Sequence, residues 1–335
     1  MKFGIHLGNQ HSPGESAVER FREHIEQVRL LRDYGFDSLW AGQHYLSHPI
    51  QYFQPLPILA RLAAEAGDML IGTDIIVLTL QHPVEMAEQY ATLDVVTGGR
   101  LVFGVGLGYR DLEYEVFGVQ RSRRVSRFVE ALEVVRRLWT EDEVTFSGKH
   151  FRFEKLRLGL RPVQKPRPPI WIGSSSDEAV PRAARLADVW VMTNHLSVPA
   201  LSRQVAIYRK ALAEAGKPFP TELARCLELY VAEDDARAIA ECRPYVEGKY
   251  RAYVAWGQER DTAKGERLDS PFEELAKDRF VIGGPERVIR ELEAQHQVLG
   301  VNHWLFRIQW PGMPQALVLK AIRLLGEVVL PHFRK

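Results

Sequence analysis

The stretch IGTDIIVLTLQHPVEMAEQYATLDVVTGGRLVFGVGLGY, residues 71–109, holds two β-rich runs separated by a helical one. Residues 70–78 and 101–105 are dense in Ile, Val, Leu and Phe with only isolated polar residues, a composition that suits strands buried on both faces. Between them, residues 84–95 mix Glu, Gln and Ala with apolar residues. Strand, helix and strand in succession make a βαβ unit, whose strands run parallel because the helix carries the chain back to the starting edge.

The same alternation extends both ways. Upstream, Phe3–Leu7 precedes a helix near 15–34, where Phe21, Ile25, Val28 and Leu31 recur at helical spacing, and Ser38–Trp40 precedes a helix near 55–66. Downstream, a helix near 124–139 completes the fourth unit. Ile170–Gly173, Asp188–Met192, Cys226–Ala232 and Val301–Arg307 supply four more strand candidates, with helices near 177–186, 199–215, 285–297 and 315–329. Eight strands, each with a helix, predict an α/β fold of the (β/α)8 TIM-barrel type. A doubly wound open sheet is the alternative, but no Gly-rich turn follows the first strand.

Two stretches interrupt the rhythm. VTFSGKHFRFEKLRL, residues 144–158, has strand composition around Ser147-Gly148 and predicts a hairpin inside an insertion at about 141–168. A second insertion at about 243–279 includes QERDTAKGERLDSPFEEL, residues 258–275, whose polarity suits a mobile surface segment able to act as a lid. No break in composition divides the chain, so one domain over residues 1–335 is expected.

A formal net charge of +1 offers no field for nucleic acid or an anionic membrane. The most apolar region, Leu56–Leu80, contains Arg61, Glu65, Asp68 and Asp74 and is no membrane span, while KFGIHLG after Met1 is too short for a secretory signal. A cytoplasmic protein acting on a small molecule is the expectation. Cys226 and Cys242, the two cysteines, form no CxxC and read as buried thiols.

In such a barrel, reactive groups gather where the strands end C-terminally. DSLWAGQHY, residues 37–45, runs from a strand straight into Gln43, His44 and Tyr45. The other strand ends offer Asp74, Gly106 to Tyr109, Ser174 to Ser176, Asn194 and His195, and Gln309 and Trp310. Singly, each has an ordinary reading as a loop cap; their shared location makes them candidates. Gly173-Ser174-Ser175-Ser176-Asp177 lies between a strand and a helix, where small residues, hydroxyls and a helix start suit a phosphate, with plain N-capping as the alternative. Gly104-Val105-Gly106-Leu107-Gly108 is GxGxG rather than GxGxxG and predicts a bulky planar ligand against the strand end rather than a dinucleotide turn. His44 and His48 have helical spacing, yet Pro49 and the strand context argue against a metal pair, and no metal is expected. Trp304, Phe306, Trp310 and Met313 can line an apolar pocket or belong to the core.

FDSLWAGQHY, the 71–109 stretch, VFGV, RFVEALEVVRRLW, PRPPIWIGSSS and AARLADVW together resemble the flavin-dependent, bacterial-luciferase-like monooxygenases, almost continuously from Met1 to about Asp188. The resemblance implies a TIM barrel that binds reduced FMN from a separate flavin reductase. With O2 it forms a flavin C4a-hydroperoxide that oxygenates a small organic substrate. It also implies a homo-oligomer, a dimer or higher, and a non-prolyl cis peptide bond at Asp74–Ile75. His44 matches the catalytic histidine, and Gln43, Asp74, Gly106, Gly108, Arg127, Gly173, Ser174 and Ser175 are the implied cofactor residues, Arg127 through the start of the RFVEALE helix. Tyr45, His195, Trp304 and Trp310 are the candidates for the substrate pocket. Three positions depart from the family: Gln43 replaces an acidic residue, Tyr45 a second histidine, and Leu107 the arginine that reaches the flavin phosphate in luciferase. An amide at 43 orients His44 without charging it. The alternatives are hydride transfer with the deazaflavin coenzyme F420 on the same barrel, a flavin-binding barrel without turnover, and an unrelated TIM-barrel hydrolase.

Overall fold

In the computed structural model, which describes residues 1–334, eight parallel strands close on themselves. They are β1 (Lys2–His6), β2 (Ser38–Ala41), β3 (Leu70–Thr73), β4 (Leu101–Gly106), β5 (Ile170–Ser174), β6 (Val189–Met192), β7 (Ala224–Val231) and β8 (His303–Arg307). Each pairs with the next, β8 pairs with β1, and β4 meets β5 through Ile170–Phe103 and Ile172–Val105. The surrounding helices are α1 (Ala17–Asp33), α2 (Pro55–Leu62), α3 (Pro83–Val96), α4 (Arg124–Thr140), α5 (Val180–Leu186), α6 (Val198–Glu214), α7 (Asp235–Ala255), α8 (Pro285–Leu299) and α9 (Gln315–Leu324). Their buried faces pack on the outward side chains of the strands, as Tyr90 of α3 and Trp139 of α4 do on Phe103 of β4.

β3 is shorter than its composition predicts. It stops at Thr73; the Asp74–Ile75 bond is cis, where the resemblance placed it, and Ile76–Val77 rejoin the sheet against Val105 and Gly106 before the 3-10 turn Leu78–Leu80. The hairpin predicted at 144–158 is present, with Val144–Ser147 antiparallel to Arg152–Leu156. The second insertion differs from its expectation. Its first residues belong to α7, a 21-residue helix that runs through Pro244, a residue that reads as a helix breaker in sequence. Beyond α7, the polar stretch folds into a 3-10 turn (Gln258–Asp261) and a short helix (Phe272–Ala276), pinned by buried Ala263, Leu268, Phe272 and Leu275. Among the described residues, no helix is long and apolar enough to cross a membrane.

The N-terminal end of the barrel is plugged by side chains. Trp40 of β2 and Trp171 of β5 stack at 4.7 Å, and His303 of β8 packs edge-on against both. Ser38 Oγ takes the Trp40 indole N–H at 2.7 Å and meets His303 Nε2 at 2.7 Å, while His303 Nδ1 donates to Glu222 at 2.7 Å. Only glycines fit beside this plug: a Cβ at Gly72 would lie 2.1 Å from Trp40 Cζ3, and one at Gly4 2.0 Å from Ser38 Oγ. The barrel therefore opens at its C-terminal end alone. Gly72→Ala should lower stability by about 1–3 kcal/mol through overpacking, read as a reduced urea midpoint with an unchanged m-value; a wild-type midpoint would show that the plug yields freely.

Candidate functional site

A cavity of about 610 Å³ lies at the C-terminal ends of the strands, within the range of roughly 300–1,000 Å³ typical of ligand sites. Among the sequence candidates, Gln43, His44, Asp74, Gly106, Gly108, Gly173, Ser174, Ser175 and His195 all line it.

His44 follows β2 and points into an aromatic enclosure. Tyr109 and Trp256 lie 5.4 Å from its ring, Tyr52 5.5 Å and Tyr253 6.0 Å. Its Nδ1 donates to Glu113 Oε1 at 3.1 Å, which leaves Nε2 free of protein partners among the described residues. Glu113, on a short helix at Asp111–Val116, also accepts from the Tyr45 main-chain N–H at 2.9 Å and from Arg110 at 3.2 Å. Burial pushes the Glu113 carboxyl up, but the hydrogen bonds and charges of His44, Tyr45 N–H and Arg110 outweigh it and hold the group below the usual carboxylate range. The imidazole thus has a carboxylate partner after all, delivered from a different loop than the motif position. Gln43 does other work: its Oε1 accepts from Val77 N–H at 3.0 Å and its Nε2 donates to the Tyr45 hydroxyl at 2.9 Å, tying the end of β3 to the His44 loop.

The glycines play a different part from the one expected. A Cβ at Gly106 or Gly173 would come within 2.9 Å of Ile75, one at Gly104 within 1.7 Å of the Thr73 carbonyl, and one at Gly108 within 2.5 Å of Val77. They admit the irregular end of β3, and Ile75 itself lines the cavity.

The serine loop is poor in protein partners. Ser174 Oγ is buried without one, and the main-chain N–H groups of Ser176, Asp177 and Glu178 have no protein acceptor among the described residues. Asp177 is drawn aside by Gln204 at 2.9 Å and Arg203 at 3.3 Å. Ser175 Oγ donates to the Asp261 carbonyl at 2.7 Å, and the Asp261 carboxylate pairs with Arg121 and, at 3.4 Å, with Arg124. These contacts anchor the turn at 258–261 across the cavity. Arg124 and Arg182 line the cavity beside the loop, and the Arg182 guanidinium makes no hydrogen bond to protein among the described residues. An anion with several oxygens fits this donor set.

The floor of the cavity carries Arg307, Asp74, Cys226 and Val191. His6 Nε2 lies 2.9 Å from the Asp74 carbonyl. Behind the floor, Lys249 and Glu228 form a buried ion pair that also takes Asn194 Nδ2 and, at 2.8 Å, the Trp310 indole N–H. Burial, then the charges of Lys249 and Arg307, pushes the His195 imidazole well below its usual range, so it is neutral at pH 7.

Four candidates do not reach the cavity. Arg127 turns outward, its Nε donating to the Thr79 carbonyl at 2.9 Å and its guanidinium stacking on Phe151; Arg124, one helical turn earlier, takes its place. Tyr45 packs against Phe117 and accepts from Gln43 and Gln81. Trp304 is wholly buried against Phe306, and Trp310 is spent on Glu228, so both belong to the core. The sequence reading missed Glu113, Arg124, Arg182 and Arg307. Only Arg307 carried a visible signal, as a charged residue closing a strand. No group of three or more His, Cys, Asp or Glu among the described residues is placed to hold a metal.

The chain matches the sequence profile described as luciferase-like monooxygenase over residues 1–303. It is 28% identical to the F420-dependent glucose-6-phosphate dehydrogenase of Nakamurella multipartita, covering 96% of this chain and 95% of the relative. It is 30% identical to the FMNH(2)-dependent dimethylsulfone monooxygenase of Pseudomonas putida, covering 84% and 77%. The monooxygenase RslO1 from Streptomyces bottropensis superposes with a TM-score of 0.88 at 25% identity, over 99% of this chain and 100% of that one. With the profile spanning the first seven strands and reaching the start of the eighth, and the barrel to match, this chain belongs to the luciferase-like monooxygenase family of oxidoreductases.

Proposed function

We propose that the protein is a cytoplasmic monooxygenase that uses reduced FMN, delivered by a separate reductase, and O2 to oxygenate a small organic substrate. The observation that carries this reading is one cavity joining the donor-rich loop Ser174–Glu178, whose donors lack protein partners among the described residues, to the His44–Glu113 pair enclosed by aromatic rings. Ser174 Oγ, the free N–H groups of the loop, Arg124 and Arg182 would hold the phosphate, and Ile75 would support the ring system. When bound, the reduced flavin supplies the electron pair that activates O2 for transfer. The chain's own task is to exclude water and to handle one proton. Tyr52, Tyr109, Tyr253 and Trp256 do the first. For the second, Glu113 fixes the His44 proton on Nδ1, so that Nε2 faces the reacting oxygen as acceptor, and as donor once the ring is protonated.

The same pair favours a second reading, in which His44 takes the proton of an alcohol while its carbon gives a hydride to coenzyme F420. Titrating the flavin-free protein with FMN, reduced FMN and F420 separates the two: tightest binding of reduced FMN is expected, and tightest binding of F420 would move the protein to hydride transfer.

Ser174→Asp sets a carboxylate against the phosphate and should weaken FMN binding by tens-fold, about 1.5–3 kcal/mol on the charged hydrogen-bond scale; unchanged affinity would displace the phosphate from this loop. His44→Ala should leave FMN affinity within a few-fold and cut oxygenation by about 10²- to 10⁴-fold, and turnover at the parental rate would remove His44 from the mechanism. Glu113→Gln strands the buried Arg110 and should cost about 3 kcal/mol of stability at neutral pH. Because the folded carboxyl sits below its unfolded value, that contribution is present above the ordinary carboxylate range and fades as pH falls through the folded value. Denaturation midpoints of wild type and variant should therefore converge in acid; a gap independent of pH would contradict the charge argument.

A further inference from the structure

Arg307 ends β8 at the cavity floor and is 9% exposed. A guanidinium carries five N–H donors, yet its one hydrogen-bonding contact among the described residues is to His6 Nε2 at 3.5 Å. Among the described residues, no carboxylate comes within ion-pair distance of it. Glu228, its register partner on β7, is taken by Lys249, Asn194 and Trp310, and the Asp74 carboxylate acts on Arg307 through space without a hydrogen bond to it. The remaining donors of Arg307 therefore face the cavity. A buried guanidinium whose donors meet no carboxylate lacks hydrogen-bonding partners, and its planar fork matches the two oxygens of a carboxylate. Above this floor the walls are aromatic, with Tyr52 and Tyr253 lining the cavity near His44.

We propose that the substrate is an aromatic carboxylate, its two oxygens held by Arg307 and its ring lying against Tyr52 and Tyr253 within reach of His44. This deepens the reading of the cavity as an active site, and it is tested by binding so that the two stand or fall separately. Calorimetric titration of the flavin-free and the FMN-loaded protein with benzoate and with uncharged benzamide reads the contribution of the carboxylate. Wild type should bind benzoate about ten-fold or more tightly over benzamide. Arg307→Met should abolish that preference with FMN affinity kept within about three-fold, and Arg307→Lys, which keeps the charge without the fork, should retain part of it. No preference in wild type, an undiminished preference in Arg307→Met, or a loss of FMN affinity as large as that of benzoate would overturn the proposal, the last by assigning Arg307 to the cofactor. Should wild type bind no flavin, the proposed function falls, while the titration of the flavin-free protein still decides Arg307.

Discussion

The Trp40 indole is the piece around which the barrel closes. It fills the space that Gly72 vacates, stacks on Trp171 across the barrel interior, and shares the Ser38 hydroxyl with His303. A ring of parallel strands leaves room for side chains only in layers. With this layer occupied by two indoles and an imidazole, the bottom is dry and sealed. Polar side chains from the strand ends then have a single direction in which to gather, and the cavity forms where they do.

His44 draws its carboxylate partner from outside its own loop. The family's acidic residue beside the histidine is Gln43 here, and the amide serves as a structural tie to Val77 and Tyr45. The carboxylate arrives instead from Glu113, 69 positions away, on a short helix after β4. A buried carboxylate alone would tend to protonate; this one stays ionised because an imidazole, a main-chain N–H and a guanidinium converge on it. The residue next to His44 in sequence and the residue that charges its surroundings are thus different residues from different loops.

That relocation also marks the boundary of what sequence made legible. The strands and helices were readable because burial on both faces and helical spacing are local patterns, and the serine loop stood out as a run of small polar residues at a strand–helix junction. Glu113 was not, since nothing in the DLEYEV run shows which side chain it will face. α7 was missed because its residues were read into a polar insertion, whereas they form one helix from Asp235 to Ala255 with Pro244 inside it. Trp304 and Trp310 were ambiguous for a physical reason: a core and an apolar pocket select the same side chains, and only the contacts with Phe306 and Glu228 separate them. The end of β3 escaped because its apolar run continues through residues that leave the ladder.

The cavity's positive charges differ in their surroundings, and the difference sorts ligands. Arg124 sits near the mouth, where Asp261 shares it and solvent is close, so a heavily hydrated dianion can settle there without complete desolvation. Arg307 lies on the floor, shielded by protein, beside a Lys249–Glu228 pair that neutralises itself. An anion reaching that depth sheds its water, and the loss is smaller for a monoanion whose charge is spread over two oxygens and whose remaining surface is apolar. Ile75, set between Gly106 and Gly173, keeps the space between these charges apolar and flat. On the proposed reading, charge placement and shape suit a phosphate-tailed planar cofactor outside and a small, weakly hydrated acid within, with His44 lining the same cavity.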